Sequence, residues 1–504
     1  MQFSSLTKYT FPAVILALTL IMFSCQDERP TSSETTADSA PVDYGKPNIL
    51  MIVVDDLRFD EFAAGGHPYL ETPNIDRLAS EGAMFTNAYH ATPLCSPNRA
   101  SILTGQYASR HGILDNTSRS EASHRLDLFP KDLQAAGYTT AHVGKWHMGN
   151  DPTPRPGYDY WVSFAGQGKA FDPDLYEQDR FTHVEGYITD IFTDRTIDFI
   201  QQAKDKPFFA YIGHKAVHPT SVQKDDGSID LENKREFLPA KRHVNTYPDQ
   251  VIERAPSYGF TEEDHQHKPV LKQVMEFKNS QEIQEAYANV VDNGVSEKTV
   301  RNRAEMVLAI DEGLGRLMDA LEELGQLDNT LILFTSDNGY FYGEHGLTTE
   351  RRLPYQEAAK APLLVRYPKL IMAGTLTDAN ALSIDFAPTI LELAGVEIPT
   401  HVQGKSLLPL LMGKSNKVHE AILIEYYSHE NPFRWTVDTD YRAVIKDDHK
   451  YIKWLRHEDK DELYDLASDP YEQINLINNP EKAGILSDMK LEIKRLVLES
   501  MGIE

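Results

Sequence analysis

Cysteine is almost absent from this chain, with two residues in 504, at positions 25 and 95. A disulfide framework is therefore not expected, and a chain this long can build its core without one. Positive charge is also scarce. Fifty Lys and Arg stand against 76 Asp and Glu, a net charge of −26, which argues against general nucleic-acid binding through a basic footprint. The acidity itself serves solubility, but any polyanionic substrate would have to be met by local cations and a metal. Internal repeats are missing. The apolar run near the N-terminus, residues 11–23, is too short for an ordinary membrane-spanning helix.

That run instead has the length of a signal-peptide core, preceded by Lys8 and followed by Ser24 and Cys25. A cysteine directly after a small residue at this point resembles a bacterial lipoprotein box, although Met22 and Phe23 are bulkier than usual there. The expected arrangement is a signal peptide over residues 1–24, then a lipidated Cys25 and a flexible tether to residue 45, rich in Ser, Thr, Ala and Asp. The alternative is a plain secretory signal. The protein is thus expected to be exported and anchored to a membrane through Cys25, in the periplasm or at the cell surface.

The remainder has the composition of a large globular protein with two subdomains, at 41% hydrophobic and 25% charged residues. Residues 49–54 form a continuous apolar run that ends in Asp55-Asp56, and residues 331–334 form another that ends in Ser336-Asp337-Asn338-Gly339. Both read as fully buried parallel strands. Before the second, Val307, Ile310, Leu314, Leu317, Leu321 and Leu324 fall on one helical face and Gly325 stops the helix. Residues 140–143 lead into Gly144-Lys145-Trp146-His147, and residues 208–212 into Gly213-His214-Lys215-Ala216-Val217-His218. Polar groups past strand ends, with helices between the strands, are the layout of a doubly wound α/β sheet with its site at the carboxyl edge. Residues 220–301 are polar and charged, and read as an insertion of loops and helices that is either a passive excursion or shapes the substrate site. After about residue 400, segments 421–426, 441–446 and 450–455 read as short antiparallel strands, with a final helix from about Glu481.

Two elements carry chemistry. Asp55, Asp56, Asp337 and Asn338 end two buried strands and supply hard oxygen ligands suited to Ca²⁺ or Mg²⁺. Both acidic pairs need a turn for adjacent side chains to face one point. Cys95-Ser96-Pro97-Asn98-Arg99-Ala100-Ser101 reads as the start of a short helix with Ser96 as N-cap, Pro97 at the first helical position and Gly105 as its close. Cys95 is thereby expected at the positive end of a helix beside Arg99, a setting that receives anions.

Cys95-x-Pro97-x-Arg99 followed by Ala100-Ser101 and Leu103-Thr104-Gly105 closely resembles the signature of the type I sulfatases. The resemblance extends from Lys46 to the C-terminal portion, where Leu463-Tyr464-Asp465-Leu466 and Asp469-Pro470 are similar to the family's ending. It implies an alkaline-phosphatase-like α/β sandwich, with a large mixed, mostly parallel sheet between helices over residues 46–400. A small C-terminal α+β subdomain with an antiparallel sheet would cover residues 401–504. It implies that Cys95 is oxidised after synthesis to formylglycine by a formylglycine-generating or anaerobic sulfatase-maturating enzyme. Asp55, Asp56, Asp337, Asn338 and modified Cys95 would hold Ca²⁺. Lys145 and His147, in Gly-Lys-Trp-His, would contact sulfate and support the nucleophile, with Arg99 beside them. His218 would serve the leaving group, with His214 as the competitor. Where many members carry a lysine after Gly343-Glu344-His345-Gly346, Arg351 takes that place most naturally in this chain, with Arg352 as the alternative. Arginine keeps the charge but does not titrate easily.

The implied reaction is attack of the formylglycine hydrate on sulfur, release of the alcohol, and loss of sulfate as the aldehyde reforms. The substrate expected by analogy is a sulfated glycan of ulvan or glycosaminoglycan type. The alternatives are a phosphodiesterase or phosphonate monoester hydrolase of the same fold, and a non-catalytic surface glycan-binding protein.

Overall fold

The computed structural model describes residues 44–503 apart from 233–234, 289–295, 349 and 429–432. The signal peptide, Cys25 and nearly all of the tether lie outside the described residues. Among the described residues no helix is long and apolar enough to cross a membrane.

The frame is a ten-stranded sheet. Its order is Thr375–Thr377, Ala83–Phe85, Leu363–Arg366, Thr330–Ser336, Asn48–Val54, Phe208–His214, Thr139–Gly144, Tyr160–Ser163, Asp174–Glu177 and Arg180–His183. The five strands from Thr330–Ser336 to Tyr160–Ser163 run parallel. One edge pairing is parallel too, and the other flanking pairs are antiparallel. The sheet is therefore mixed around a parallel centre.

Every residue of the Asn48–Val54, Phe208–His214 and Thr330–Ser336 strands is buried. Successive side chains point to opposite faces. Ile49, Met51 and Val53 enter one core with Ile102, Phe129 and Ile390, while Leu50, Ile52 and Val54 enter a second with Phe192, Ile310 and Leu314. Continuous apolar runs are what a strand covered by helices on both faces requires. The register aligns the carboxyl ends, because Val54 sits opposite both Ser336 and His214, and Gly144 opposite Gly213. Asp55, Lys145, Lys215 and Asp337 therefore emerge along one edge. Gly144 needs to be glycine there: its φ is +119°, and a Cβ would lie 2.1 Å from the Gly213 carbonyl oxygen.

The long helix Glu297–Glu323 carries the predicted apolar stripe, with Leu324 as its cap and Gly325 at φ +66° beyond. It begins inside the stretch read as an insertion. The rest of that stretch holds the helices Glu262–His267, Pro269–Lys278 and Gln281–Ala286 joined by loops.

A separate four-stranded antiparallel sheet contains Ile422–Tyr426, Tyr441–Lys446, His449–Trp454 and Glu462–Asp465. The helix Ala483–Ser500 packs on it through Met489, Ile493 and Leu496. The fourth strand and a small sheet of Lys360–Ala361, Ala88–Tyr89 and Ala381–Leu382 were not expected from the sequence.

Leu314, 1% exposed, wedges the long helix onto the sheet. Leu314→Ala should destabilise the protein by about 2–5 kcal/mol through lost burial and a cavity, read as a lower calorimetric transition temperature at unchanged metal content.

Candidate active site

The two strand-end acidic pairs converge by different local devices. Asp56 adopts φ +61°, a left-handed conformation that Asp tolerates better than most residues, so adjacent Asp55 and Asp56 turn to one centre. Backbone hydrogen bonds Asp55–Ala216 and Val217–Asp55 pin this turn to the loop after the Phe208–His214 strand. The Asp56 N–H donates to Asp337 Oδ1 at 3.1 Å, and Asn338 Nδ2 donates to Asp56 Oδ1 at 2.7 Å.

Cys95 meets these residues from the helix Cys95–Thr104. The helix starts two residues earlier than the sequence indicates, with Leu94 as N-cap and Cys95 at the first position. Ser96 does not cap, because its hydroxyl donates instead to the His147 carbonyl oxygen at 2.5 Å. Pro97 still falls in the first turn, where its missing N–H loses no helical bond. Gly105, at φ +67°, closes the helix as expected.

Carboxylate oxygens of Asp55, Asp56 and Asp337 lie within 4.8 Å of one another and of Cys95 Sγ, and all four residues are buried. Each carboxylate has its own cation. Asp55 pairs with Lys145, Asp56 Oδ1 lies 2.8 Å from Arg351 Nε, and Asp337 Oδ2 lies 2.7 Å from Arg99 Nε. Arg99 Nη1 also donates to the Lys145 carbonyl oxygen at 2.8 Å, so one guanidinium ties two strand ends together. Asp55 Oδ1, Asp56 Oδ2 and Asn338 Oδ1 are buried without a hydrogen-bond partner among the described residues. Unsatisfied oxygens of this kind are costly unless they ligate something, and a set of hard oxygens fits Ca²⁺ or Mg²⁺.

Burial raises the Asp55 carboxyl above its usual range, against the pull of Lys145. Burial likewise pushes the Cys95 thiol up to about 12, with Lys145 only partly opposing. A Cys95 thiolate is therefore not available at neutral pH, despite the helix terminus and the cations.

His147, at φ +62°, places Nε2 2.7 Å from Gln223 Oε1 and 2.9 Å from Gln167 Nε2. Gln167 also accepts from Lys145 Nζ at 2.7 Å. His218 Nδ1 lies 2.8 Å from the Pro219 carbonyl oxygen, to which it donates, so Nε2 accepts from Arg351 Nη2 at 3.0 Å. Burial first, then Lys145 and Arg351, hold His218 well below the usual imidazole range. His218 Nε2 is also 4.0 Å from Asp56 Oδ2. His214 is the last residue of its strand, and its Nδ1 has no hydrogen-bond partner among the described residues. Of the two histidines, His218 is the one at the cluster.

Of the two candidate arginines, Arg351 enters the cluster, with Nη2 3.8 Å from Cys95 Sγ. Arg352 instead lies over the Phe433 ring at 5.1 Å.

Several participants carried little sequence signal. Gln167 sits between Gly166 and Gly168, both at positive φ, which is a turn signal but not a functional one. Gln223 comes from the polar stretch that allowed a passive reading. Lys215 donates to the carbonyl oxygens of His218 and Pro219 at 3.2 and 3.1 Å and so shapes the His218 loop; burial lowers it to about 7. Glu350 anchors the Arg351 loop. It pairs with Lys278 at 2.7 Å and accepts from Trp435 Nε1 at 2.7 Å and from the Thr348 N–H at 2.5 Å.

A parallel sheet edge that gathers buried carboxylates, cations and a helix-terminal cysteine defines an α/β protein with an enclosed polar centre that could hold a metal. The chain belongs to the sulfatase family, whose profile matches residues 47–396. A second profile, N-sulphoglucosamine sulphohydrolase, C-terminal, matches residues 343–499. The N-acetylglucosamine-6-O-sulfatase of Bacteroides thetaiotaomicron is 32% identical over 87% of this chain and 84% of its own. The ulvan-active sulfatase of Formosa agariphila is 25% identical over 96% of this chain and 86% of its own. Among solved structures, that of BT4656 in complex with its substrate D-glucosamine-2-N,6-O-disulfate superposes with a TM-score of 0.75. It is 30% identical and covers 90% of this chain and 98% of that one.

Glu350→Leu would strand the buried Lys278 ammonium and the Trp435 N–H. A loss of about 3–5 kcal/mol is expected, measured calorimetrically, with a larger relative loss of turnover than Leu314→Ala causes, because the Arg351 loop is released.

Proposed function

We propose that this protein removes sulfate from a sulfated polysaccharide or oligosaccharide, of ulvan or glycosaminoglycan type, using Ca²⁺ and a formylglycine made from Cys95. The observation that carries the reading is the buried Asp55–Asp56–Asp337–Cys95 cluster, with its unpartnered oxygens and its three facing cations. The substrate class is supported by what the two named relatives act on.

In this reading Asp55, Asp56, Asp337 and Asn338 hold the ion together with residue 95. Bound there, Ca²⁺ supplies neutralisation of the sulfate oxygens, and formylglycine as its hydrate supplies the oxygen nucleophile for sulfur. The chain's own groups do the rest. Arg99 fixes Asp337 and the Lys145 backbone, which keeps the cluster assembled. Lys145 and Arg351 bind the sulfate, as preorganised charges in a site closed to water. His147, oriented by Gln167 and Gln223, takes up the proton from residue 95. His218, beside Arg351, protonates the departing alcohol oxygen. An arriving sulfate ester offsets the positive charges that hold its proton affinity down. Arg351 stays charged throughout and is not the acid.

We further read residues 46–400 as the catalytic portion and 401–504 as a smaller one. The exported protein would carry a lipid anchor at Cys25 and meet a maturation enzyme that converts Cys95.

Three measurements test this. In protein made with a maturation enzyme, the Cys95 peptide should be lighter by the difference between a thiol and an aldehyde; active protein with only the thiol would overturn the reading. Cys95→Ala should abolish turnover of an aryl sulfate, while dominant hydrolysis of an aryl phosphodiester by the parent protein would reassign it. Chelation should remove activity and Ca²⁺ should restore it; Asp337→Asn should weaken that restoration about tenfold or more.

A further inference from the structure

The last two strands of the large sheet, Asp174–Glu177 and Arg180–His183, form a hairpin that presents a phenyl ring to solvent. Phe181 is 69% exposed, and its ring meets that of Tyr176 edge-on, with 5.0 Å between the centroids. A lone exposed apolar residue needs no explanation, but Phe181 is not alone. It lines a cavity of about 420 Å³ together with Val222, which is 58% exposed. That volume lies in the range of small-ligand sites, roughly 300–1,000 Å³.

The cavity adjoins the candidate active site. Gln167 and Gln223 line it as well. These two amides lie 3.0 Å apart and hold His147, and Gln167 also accepts from Lys145. Neither His218 nor Arg351 lines the cavity, so it meets the cluster on the His147 side. Both walls are held in place. The Val222 carbonyl oxygen accepts from the Asp230 N–H at 2.9 Å, and Gln223 Nε2 donates to the Gly227 carbonyl oxygen at 2.9 Å. Opposite in sequence, Gly168 has φ +65°, and a Cβ there would lie 2.5 Å from the Phe164 ring, so the turn around Gln167 admits only glycine at this point. The lining charges are balanced. Lys169 pairs with Asp174 at 2.6 Å, and Asp174 also lies 2.9 Å from His183 Nδ1. Charge therefore does not choose the occupant. An aromatic and an aliphatic side chain, joined in one cavity by the Asn150 and Gln167 amides, fit a pyranose ring, which has an apolar C–H face and a rim of hydroxyls.

We propose that this cavity is a sugar subsite, which takes the pyranose next to the sulfated one in the same glycan, with the C–H face of that ring on Phe181 and Val222 and its hydroxyls towards the amides. The proposal rests on the sulfatase reading above and deepens it. The substrate is then read over two rings, one through its sulfate at residue 95 and the other through its shape, without charge.

The test measures kcat/KM of matured, Ca²⁺-loaded protein on sulfated monosaccharides of glycosaminoglycan and ulvan type, and on the same sugars joined to an uncharged hexose on either side. One disaccharide should exceed its monosaccharide by about tenfold, and the gain should persist at raised ionic strength. F181A and V222S should bring that ratio close to one, mainly through KM on the disaccharide, and F181W should keep most of it. Both side chains are largely exposed, so the variants should melt with the parent, which calorimetry checks; should one fail to fold, the other decides. Equal kcat/KM on one and two rings, hydrolysis confined to aryl sulfates, or a gain that survives in folded F181A and V222S overturns the subsite and leaves the sulfatase reading standing. A gain that disappears with salt overturns recognition by the ring face. No hydrolysis of any sulfate ester by protein with converted Cys95 overturns the sulfatase reading itself.

Discussion

Asp55, Asp56 and Asp337 are carboxylates removed from water, and each is faced by one cation, Lys145, Arg351 or Arg99. An isolated charge in such a place would be prohibitively costly, so every partner has to be held to within a few tenths of an ångström. Much of the surrounding architecture answers that demand. The parallel register delivers Asp55, Lys145 and Asp337 to one edge, and Arg99 bridges two of the strands from a helix on one face of the sheet. The Arg351 loop has no such frame, and Glu350 replaces it with a buried pairing to Lys278 and Trp435. The one-to-one matching also bears on ligand binding. A divalent cation among the three carboxylates would loosen their hold on Lys145 and Arg351, which are then available to an anion.

The same desolvation decides what residue 95 can be. A helix N-terminus and nearby cations ordinarily lower a thiol pKa, yet at this depth the cost of a buried anion prevails and the thiol is pushed up. Asp55 and Asp337 add to that cost. The environment therefore penalises a thiolate at this position.

What could be read in the sequence was what local pattern encodes. Apolar runs ending in Asp55-Asp56 and in Ser336-Asp337-Asn338 locate the strand ends, and the stripe from Val307 to Leu321 locates the long helix. Contacts made across the fold had no such mark. Ser96 has the chemistry of an N-cap, but a carbonyl from the His147 turn claims its hydroxyl, and the helix start moves by two residues. Two-residue strands such as Ala88–Tyr89 and Ala381–Leu382 are too short to show a period. Gln167, Gln223 and Glu350 are ordinary polar residues until the chain brings them to His147 and Arg351. His218 and Arg351 are the preferred members of their pairs in the sequence, and the geometry brings these two together beside Cys95.

A chain of net charge −26 would be expected to repel a polyanion. The structure resolves this by separating the charges in space. Arg99, Lys145 and Arg351 are buried against Asp337, Asp55 and Asp56, while acidic groups such as Asp319, Glu322 and Glu121 are exposed. Exposed charges are screened over roughly 10 Å at moderate salt, so the acidic exterior falls away at short range. The buried cations, in a low-dielectric wall, are screened far less. The polar stretch between residues 220 and 301 belongs to this arrangement, because its Gln223 holds His147 and its Lys278 pairs with Glu350 beside Arg351. It is part of the site, and variation there should alter what the site accepts more readily than whether it can hydrolyse a sulfate ester.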